Sequence, residues 1–193
     1  MAPMKKFLYQ PLTPFLVHQR FGEKKACISL DGGRVITCDG NNPPTGYRSI
    51  YGAEGHTGID LRASHGQEVY CAQDGTVISI DTDPKSGLDV RVETVFEGKK
   101  YLHIYEHLLG YQPRVGDKVL AGQIIGWANN TGWSSGDHLH FELRDENGIP
   151  IDPLPVMENI FAKDMLAITN KLKYIQEQVA LLMDRLADYL RKK

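Results

Sequence analysis

Short apolar runs separated by turn-forming residues fill the sequence up to about residue 156, and this pattern restricts the fold most. Glycine and proline are frequent there, and pairs such as Asp74-Gly75, Glu97-Gly98 and Asn147-Gly148 separate the runs. Short runs with turn residues between them are typical of antiparallel β-strands. The sequence therefore predicts a mainly β domain of antiparallel sheets, with strands at 67–72, 75–80, 90–96, 101–107, 118–120, 123–127 and 138–144.

The pattern changes after Pro153 and Pro155. Glycine no longer occurs, and apolar residues recur at gaps that alternate between four and three, as in a heptad repeat. We therefore predict a domain at 1–156 and one long α-helix at 157–193. The seam of this helix consists of Phe161, Met165, Ile168, Leu172, Ile175, Val179, Leu182, Leu186 and Tyr189.

The length of the predicted helix favours association between chains. Four heptads extend about 45 Å, whereas a domain of this size has a radius of gyration of about 15 Å. We expect a coiled coil that forms a homo-oligomer through residues 161–189. The β-branched Ile168 and Ile175 occupy d positions, which disfavours a dimer. The alternative is an amphipathic helix that folds back onto its own domain.

Charge and hydropathy exclude several partners. The 22 basic and 24 acidic residues give a formal charge of -2, which predicts neither nucleic-acid binding nor attraction to a membrane surface. Apolar runs are too short for a membrane-spanning helix. Pro11 and Pro14 interrupt the N-terminal segment, so we expect no secretory signal and synthesis in the cytoplasm, with delivery by another route.

Five of the seven histidines fall into three groups with different geometry. His56 and Asp60 are four residues apart, and on a straight strand their Cα atoms would be about 13 Å apart. They can bind one metal only if the chain bends between them, and Gly58 permits that bend.

The other two groups lie within predicted strands. His138 and His140 share one strand face because side chains alternate, so two imidazoles line one groove. His103 and His107 share a face by the same rule but are too far apart for one metal, so at most one is a ligand. Imidazoles with a carboxylate are the usual donors of a catalytic zinc, which keeps one position open for water.

Several motifs occur in the order found in one enzyme family. They include QRFG at 19–22, GHTGID at 55–60, YEHL at 105–108 and HLHFE at 138–142. At these residues the chain resembles the lysostaphin/LytM-type zinc endopeptidases, which hydrolyse peptidoglycan, over about residues 17–156. The resemblance implies a mostly antiparallel β domain with a narrow substrate groove over a central sheet.

The resemblance also implies roles for individual residues. His56, Asp60 and His140 would bind one Zn²⁺ per chain, and His107 and His138 would be unligated histidines that activate water or stabilise the oxyanion. Tyr51 is a candidate for substrate binding, because a tyrosine upstream of the first ligand assists some relatives. We place His103 at the rim of the groove or behind the ligands.

Residues 26–45 do not match the family and form an insertion. The segment reads as a hairpin centred on Gly32-Gly33, which places Cys27 opposite Cys38. A cross-strand disulfide and two free thiols both remain open, because this would be the wider kind of cross-strand pair. Cys71 lies on a predicted core strand, so we expect it to be buried.

The expected function is a zinc-dependent endopeptidase that cuts the stem or cross-bridge peptides of bacterial peptidoglycan. The expected lack of a signal and the oligomerising helix favour a phage protein, either an endolysin or a virion component. The alternatives are a non-catalytic structural or wall-binding virion or tail protein that uses the same domain, and a zinc peptidase that acts on a protein.

Overall fold

The computed structural model describes residues 5–23, 28–30, 34–36 and 55–158, together with Val179 and Met183. The described residues form a short 3-10 helix at Leu154–Val156 and a series of β-strands. The strands are β1 (Leu8–Tyr9), β2 (Val17–Gln19), β3 (Ile28–Leu30), β4 (Arg34–Ile36), β5 (Ile59–Arg62), β6 (Glu68–Tyr70), β7 (Gly75–Asp83), β8 (Gly87–Phe96), β9 (Lys99–Tyr111), β10 (Lys118–Val119), β11 (Ile124–Ala128), β12 (His138–Arg144), β13 (Pro150–Ile151) and β14 (Met157–Glu158).

One large antiparallel sheet dominates the described residues. Its strands follow the order β10-β7-β8-β9-β12-β5-β2. In addition, β11 pairs with β6 and β9, and β13 pairs with β12. The longest strands, β8 and β9, are joined by a two-residue turn in which Glu97 and Gly98 both have positive φ. Such turns match the twist of a hairpin. The mainly β, antiparallel prediction is confirmed.

The two faces of the central strands have different environments. On β12, Leu139, Phe141 and Leu143 are fully buried in the core, whereas the residues between them point to the opposite face, as strand alternation requires. Tyr105 lies beside Phe141 in the core, and its hydroxyl oxygen accepts a hydrogen bond of 2.8 Å from the backbone N–H of Ala72. The polar face of this sheet is the floor of a groove.

A bulge in β9 interrupts that alternation. Tyr105 pairs with Val90 and Leu108 pairs with Leu88, so β9 has one more residue than β8 over this stretch. His107 occupies the bulge with φ of 63°. An extra residue reverses which face the following side chains point to. The bulge therefore brings His107 to the groove face.

His103 precedes the bulge and lies on the core face. It is 0% exposed, it is near Phe141, and neither ring nitrogen has a hydrogen-bond partner among the described residues. The prediction that His103 lies at the groove is therefore wrong. The rule of strict alternation assigned it to the face of His107 because the bulge was not foreseen.

The N-terminal segment and the end of the domain pack together. Strand β1 pairs in parallel with β14, and Leu8 and Met157 are both buried. Residues 157 and 158 are therefore a strand and not the start of the predicted helix, because Met157 joins the core. Contacts divide the chain into two compact units, Met1–Glu158 and Asn159–Lys193.

The predicted helix beyond Glu158 lies outside the described residues except for Val179 and Met183, which are helical and exposed. The coiled coil therefore stays a prediction. Among the described residues, no helix has the length and hydrophobicity needed to cross a membrane.

The predicted hairpin insertion forms strands β3 and β4, which pair antiparallel. Leu30 pairs with Arg34, which leaves three residues between the strands instead of the two predicted, so the predicted register is wrong by one residue. Cys27 and Cys38 lie outside the described residues. Cys71 is fully buried, as predicted. Its thiol is not part of a disulfide, and burial raises its pKa to about 11.

Candidate metal centre

A groove lies over the polar face of β5, β12, β9 and β8. Basic, acidic and imidazole side chains from all four strands face into it, and Trp133 and Ser134 come from the loop before β12. The side chains on the groove floor are Asp60, Arg62, Arg91, Glu106, His107, His138, His140, Glu142 and Arg144.

Three donor atoms converge at one point of this floor. His56 Nε2 lies 3.0 Å from His140 Nδ1 and 3.1 Å from Asp60 Oδ1. The third separation, between His140 Nδ1 and Asp60 Oδ1, is 2.8 Å. A tetrahedral zinc with ligands at about 2.0–2.1 Å holds its donors about 3.4 Å apart. The three side chains therefore fit one small cation with little adjustment.

Local backbone structure explains this convergence. Asp60 on β5 pairs directly with His140 on β12, so their side chains are neighbours on the groove face. His56 precedes β5, where the chain bends and its backbone hydrogen-bonds to Gly22 and Glu23. A Cβ atom on Gly58 would collide with the carbonyl oxygen of Phe141, so only glycine allows this close approach.

Each histidine of the triad is oriented by its second nitrogen. His56 Nδ1 donates to the carbonyl oxygen of Arg20 at 3.1 Å, which leaves Nε2 as the donor toward the centre. His140 Nε2 lies 3.3 Å from Glu142 Oε1, which leaves Nδ1 facing Asp60. Carboxylates and carbonyls behind ligating histidines are typical of metal sites.

Glu142 is in turn held by two groups. Arg144 Nη2 donates to Glu142 Oε2 at 2.6 Å, and the Thr57 hydroxyl donates to Oε1. Burial alone would raise the pKa of Glu142, but hydrogen bonding and charge attraction from His140 and the charge of Arg144 outweigh it and lower that pKa to about 2. The carboxylate is therefore ionised at every ordinary pH.

The electrostatics of the triad favour positive charge. Burial disfavours the ionised form of Asp60, yet hydrogen bonds from His140 and His56 hold the pKa of Asp60 well below its usual value. Burial likewise opposes protonation of His140, but Asp60 and Glu142 raise the pKa of His140 well above its ordinary value. A metal cation bound by His56, Asp60 and His140 would supply the positive charge that these carboxylates attract.

His138 and His107 lie next to the triad as a second pair of imidazoles. Their ring centroids are 4.6 Å apart, and His138 Nε2 is 3.7 Å from Asp60 Oδ1. His107 Nδ1 donates to the carbonyl oxygen of Thr131 at 2.7 Å, and His138 Nδ1 donates to that of Gly136 at 2.8 Å. Both Nε2 atoms are therefore unprotonated in the neutral rings.

Both imidazoles are neutral near pH 7. Burial lowers the pKa of His107 to about 3, with further contributions from the charges of His138 and His140. Burial also lowers the pKa of His138, against the opposing effect of Asp60. Two neutral rings with exposed lone pairs can accept a proton from a group bound between them and the triad.

The structure brings together five of the seven residues predicted for the site: His56, Asp60, His107, His138 and His140. His103 lies in the core, and Tyr51 lies outside the described residues. Sequence reasoning did not identify Thr57, Glu142 and Arg144 as supports of His140. Strand alternation could have found the last two, because both share the face of His140.

Several known proteins are similar to this chain. Peptidoglycan DD-endopeptidase ShyA of Vibrio cholerae is 32% identical over 129 residues, which cover 65% of this chain and 29% of the relative. Lysostaphin of Staphylococcus simulans is 31% identical over 107 residues, which cover 54% of this chain and 22% of the relative. The chain therefore spans less than a third of the length of either relative.

Two solved structures are similar at 26% identity. The catalytic domain of the antimicrobial peptidase lysostaphin from Staphylococcus simulans matches with a TM-score of 0.52, over 72% of this chain and 90% of that domain. A zinc-containing peptidase from Vibrio cholerae matches with a TM-score of 0.56, over 77% of this chain and 40% of that one.

A family profile covers the site itself. The family model described as Peptidase family M23 matches residues 54–153, which is more than half of the 193 residues. That span includes the three converging donors and both neighbouring imidazoles. The chain is therefore a member of peptidase family M23.

Proposed function

We propose that this protein is a zinc-dependent endopeptidase that hydrolyses peptide bonds in bacterial peptidoglycan. The observation that carries the proposal is the convergence of His56, Asp60 and His140 within 3.1 Å of one another at the floor of an open groove. The names of the relatives, a peptidoglycan DD-endopeptidase and lysostaphin, support the reaction and the substrate.

Zinc is the cation that best suits the donor set. Two imidazole nitrogens and one carboxylate oxygen are typical of a catalytic zinc with an open position, whereas calcium and magnesium prefer oxygen donors. We assign one Zn²⁺ per chain to His56, Asp60 and His140. A zinc ion in such a site lowers the pKa of bound water to about 7 and polarises a carbonyl.

His138 and His107 provide the proton transfer. One ring accepts a proton at Nε2 when water attacks the scissile carbonyl, and later delivers a proton to the departing amine. The carbonyls of Thr131 and Gly136 fix both rings through Nδ1. The two ring centroids are 4.6 Å apart, so positive charges on both rings would repel each other, and one ring takes the proton while the other stays neutral. The second ring then stays available as a hydrogen-bond partner.

The wider organisation of the protein is also a proposal. The peptidase domain comprises residues up to Glu158, and the segment from 161 to 189 joins copies of the chain as a coiled coil. The heptad repeat supports this, together with the exposure of Val179 and Met183, which are one helical turn apart. Association with a phage remains a prediction from the sequence.

Two variants of neighbouring histidines test the assignment. His140→Ala removes a donor, so we expect zinc and activity to be lost together. His138→Ala leaves all three donors, so we expect normal zinc content with activity reduced about 10²- to 10⁴-fold. Zinc content is measured by atomic absorption, and activity by zymography on purified cell walls.

The outcome separates this function from a wall-binding one. Zones of cleared cell wall in the zymogram that are lost when a chelator is added, and that return when zinc is added, support the endopeptidase. Binding to walls without clearing by the zinc-loaded protein contradicts it and favours a non-catalytic role. Equal loss of zinc in both variants would contradict the choice of ligands.

A further inference from the structure

Glu106 is a carboxylate on the groove floor that the proposed reaction does not use. It lies on β9 directly opposite His140 on β12, and it is partly exposed to the groove. In the part of the chain that the structure describes, its side chain makes no hydrogen bond and no salt bridge.

The surrounding charges are already paired. Arg91 donates to Asp89 from Nε at 2.9 Å and from Nη2 at 3.3 Å. Arg144 donates to Glu142 from Nε at 2.7 Å. An ionised carboxylate in a poorly solvated position needs a partner, and burial raises the pKa of Glu106 to about 7. A cationic group that enters the groove would hold Glu106 in its charged form.

A second metal is a poor choice for that partner. An acidic oxygen of Glu106 does lie within 4.8 Å of His140 and Glu142 donors. However, His140 Nε2 is already directed at Glu142, and Glu142 is held by Arg144 and Thr57. A bound cation there would have to displace the groups that orient a ligand of the first metal.

The position of Glu106 defines where the cation would be on a substrate. Adjacent strands are about 4.8 Å apart, and an extended peptide advances about 3.3 Å per residue. A peptide that lies across the strands with its scissile carbonyl over His140 therefore reaches Glu106 one to two residues further along.

We propose that Glu106 is a specificity residue that binds a protonated amine of the substrate one to two residues from the cleaved bond. The inference rests on the proposed endopeptidase function. The preferred substrate is then a peptide with a free amino group on a side chain or at a chain end close to that bond. Peptides whose amine is acylated lose the charge and the contact.

The test uses two matched substrates and three forms of the full-length, zinc-loaded protein. The substrates are peptide fragments of purified peptidoglycan, either untreated or N-acetylated with acetic anhydride. The proteins are wild type, Glu106→Gln and the control Glu146→Gln, which changes an exposed glutamate in the turn before β13. Products are quantified by liquid chromatography with mass spectrometry, and zinc content is checked for each protein.

We expect wild type and Glu146→Gln to prefer the untreated fragments by about tenfold or more in kcat/KM, through KM, as the loss of a charged hydrogen bond predicts. The Glu106→Gln variant should keep its zinc and its kcat. Its KM for both substrates should be as high as the KM of wild type for the acetylated substrate. A Glu106→Gln enzyme that still prefers the free amine would overturn the proposal, and so would a wild type that cleaves both substrates equally.

Binding of the same fragments, measured by calorimetry, keeps the two proposals distinguishable. Binding that depends on the amine and on Glu106, without any cleavage, would support the amine site and contradict the endopeptidase. Cleavage without a preference for the free amine would support the endopeptidase and contradict the amine site. The absence of both cleavage and amine-dependent binding would contradict both.

Discussion

At the scale of single residues, His103 is a polar side chain whose burial opposes folding. It is fully buried, and neither nitrogen has a partner within the described residues. A buried polar group without a hydrogen bond costs about 1–3 kcal/mol. We therefore expect His103→Leu to increase the free energy of unfolding by about that amount at pH 7.5, measured by urea denaturation.

The same residue predicts how this gain changes with pH. Burial lowers the pKa of His103 to about 3, whereas an unfolded histidine has a pKa of about 6.5. Between these values the unfolded state binds a proton that the folded state does not, so the native protein loses stability as the pH falls below 6.5. His103→Leu lacks this effect, and its advantage over wild type should grow between pH 6.5 and pH 5.

A surface histidine provides the matched control. His65 has a side chain that is 64% exposed, so His65→Leu should change stability by less than about 0.5 kcal/mol. A constant difference between wild type and His103→Leu over this pH range would contradict the buried, neutral state of His103.

At the scale of elements, the loop at 131–133 supports His107, which we propose as a catalytic histidine. The carbonyl oxygen of Thr131 accepts the hydrogen bond of His107 Nδ1, and the Thr131 hydroxyl donates to the carbonyl of Leu108 at 3.0 Å. Gly132, with φ of 76°, lies against the backbone of Lys85 and Gly87. The bulge at His107 is thus stabilised by a loop far away in sequence.

This contact predicts a strong effect of Gly132→Ala. A Cβ atom there would overlap with the Lys85 carbonyl oxygen and the Gly87 nitrogen, so the loop must shift and carry Thr131 with it. We expect the free energy of unfolding to fall by at least about 2 kcal/mol. We expect hydrolysis of cell walls to fall by about tenfold or more, because His107 loses its position.

Gly98→Ala is the matched control for this variant. Gly98 has nearly the same φ, 78°, but no atom lies within 4 Å of a Cβ placed there. The Gly98→Ala substitution should lower the free energy of unfolding only by the backbone strain of about 1–2 kcal/mol, and it should leave hydrolysis unchanged. Equal loss of hydrolysis in both variants would show that the loop does not position His107.

The bulge also shows what the sequence could and could not predict. His138 and His140 were placed correctly because their relation depends only on strand alternation within β12. The placement of His103 failed because one extra residue in β9, visible only through its pairing with β8, reverses the alternation. The register of β3 and β4 failed for a similar reason, since the loop length sets it.

At the scale of the whole molecule, long-range contacts limited the prediction in the same way. The metal triad could be proposed because it depends on short motifs, GHTGID and HLHFE, that also carry the family resemblance. The Arg20 carbonyl behind His56 and the Thr131 carbonyl behind the neighbouring His107 come from distant segments. Which backbone carbonyl meets which ring depends on the fold, so no local pattern could predict these two contacts. Residues 157 and 158 were assigned to the helix because their pairing with β1 joins distant parts of the chain and leaves no local signal.

The heptad repeat after residue 158 makes a prediction about the assembled protein. The full chain of 21.6 kDa should form an oligomer whose mass, measured by light scattering after gel filtration, is a multiple of that value. Val179 occupies an a position, so Val179→Asp would place a charge in the apolar seam and shift the mass toward the monomer. Asn170→Asp adds the same charge at an outer f position and should leave the mass unchanged. A wild-type chain that is monomeric at micromolar concentration would contradict the coiled coil and favour a helix that packs within its own chain.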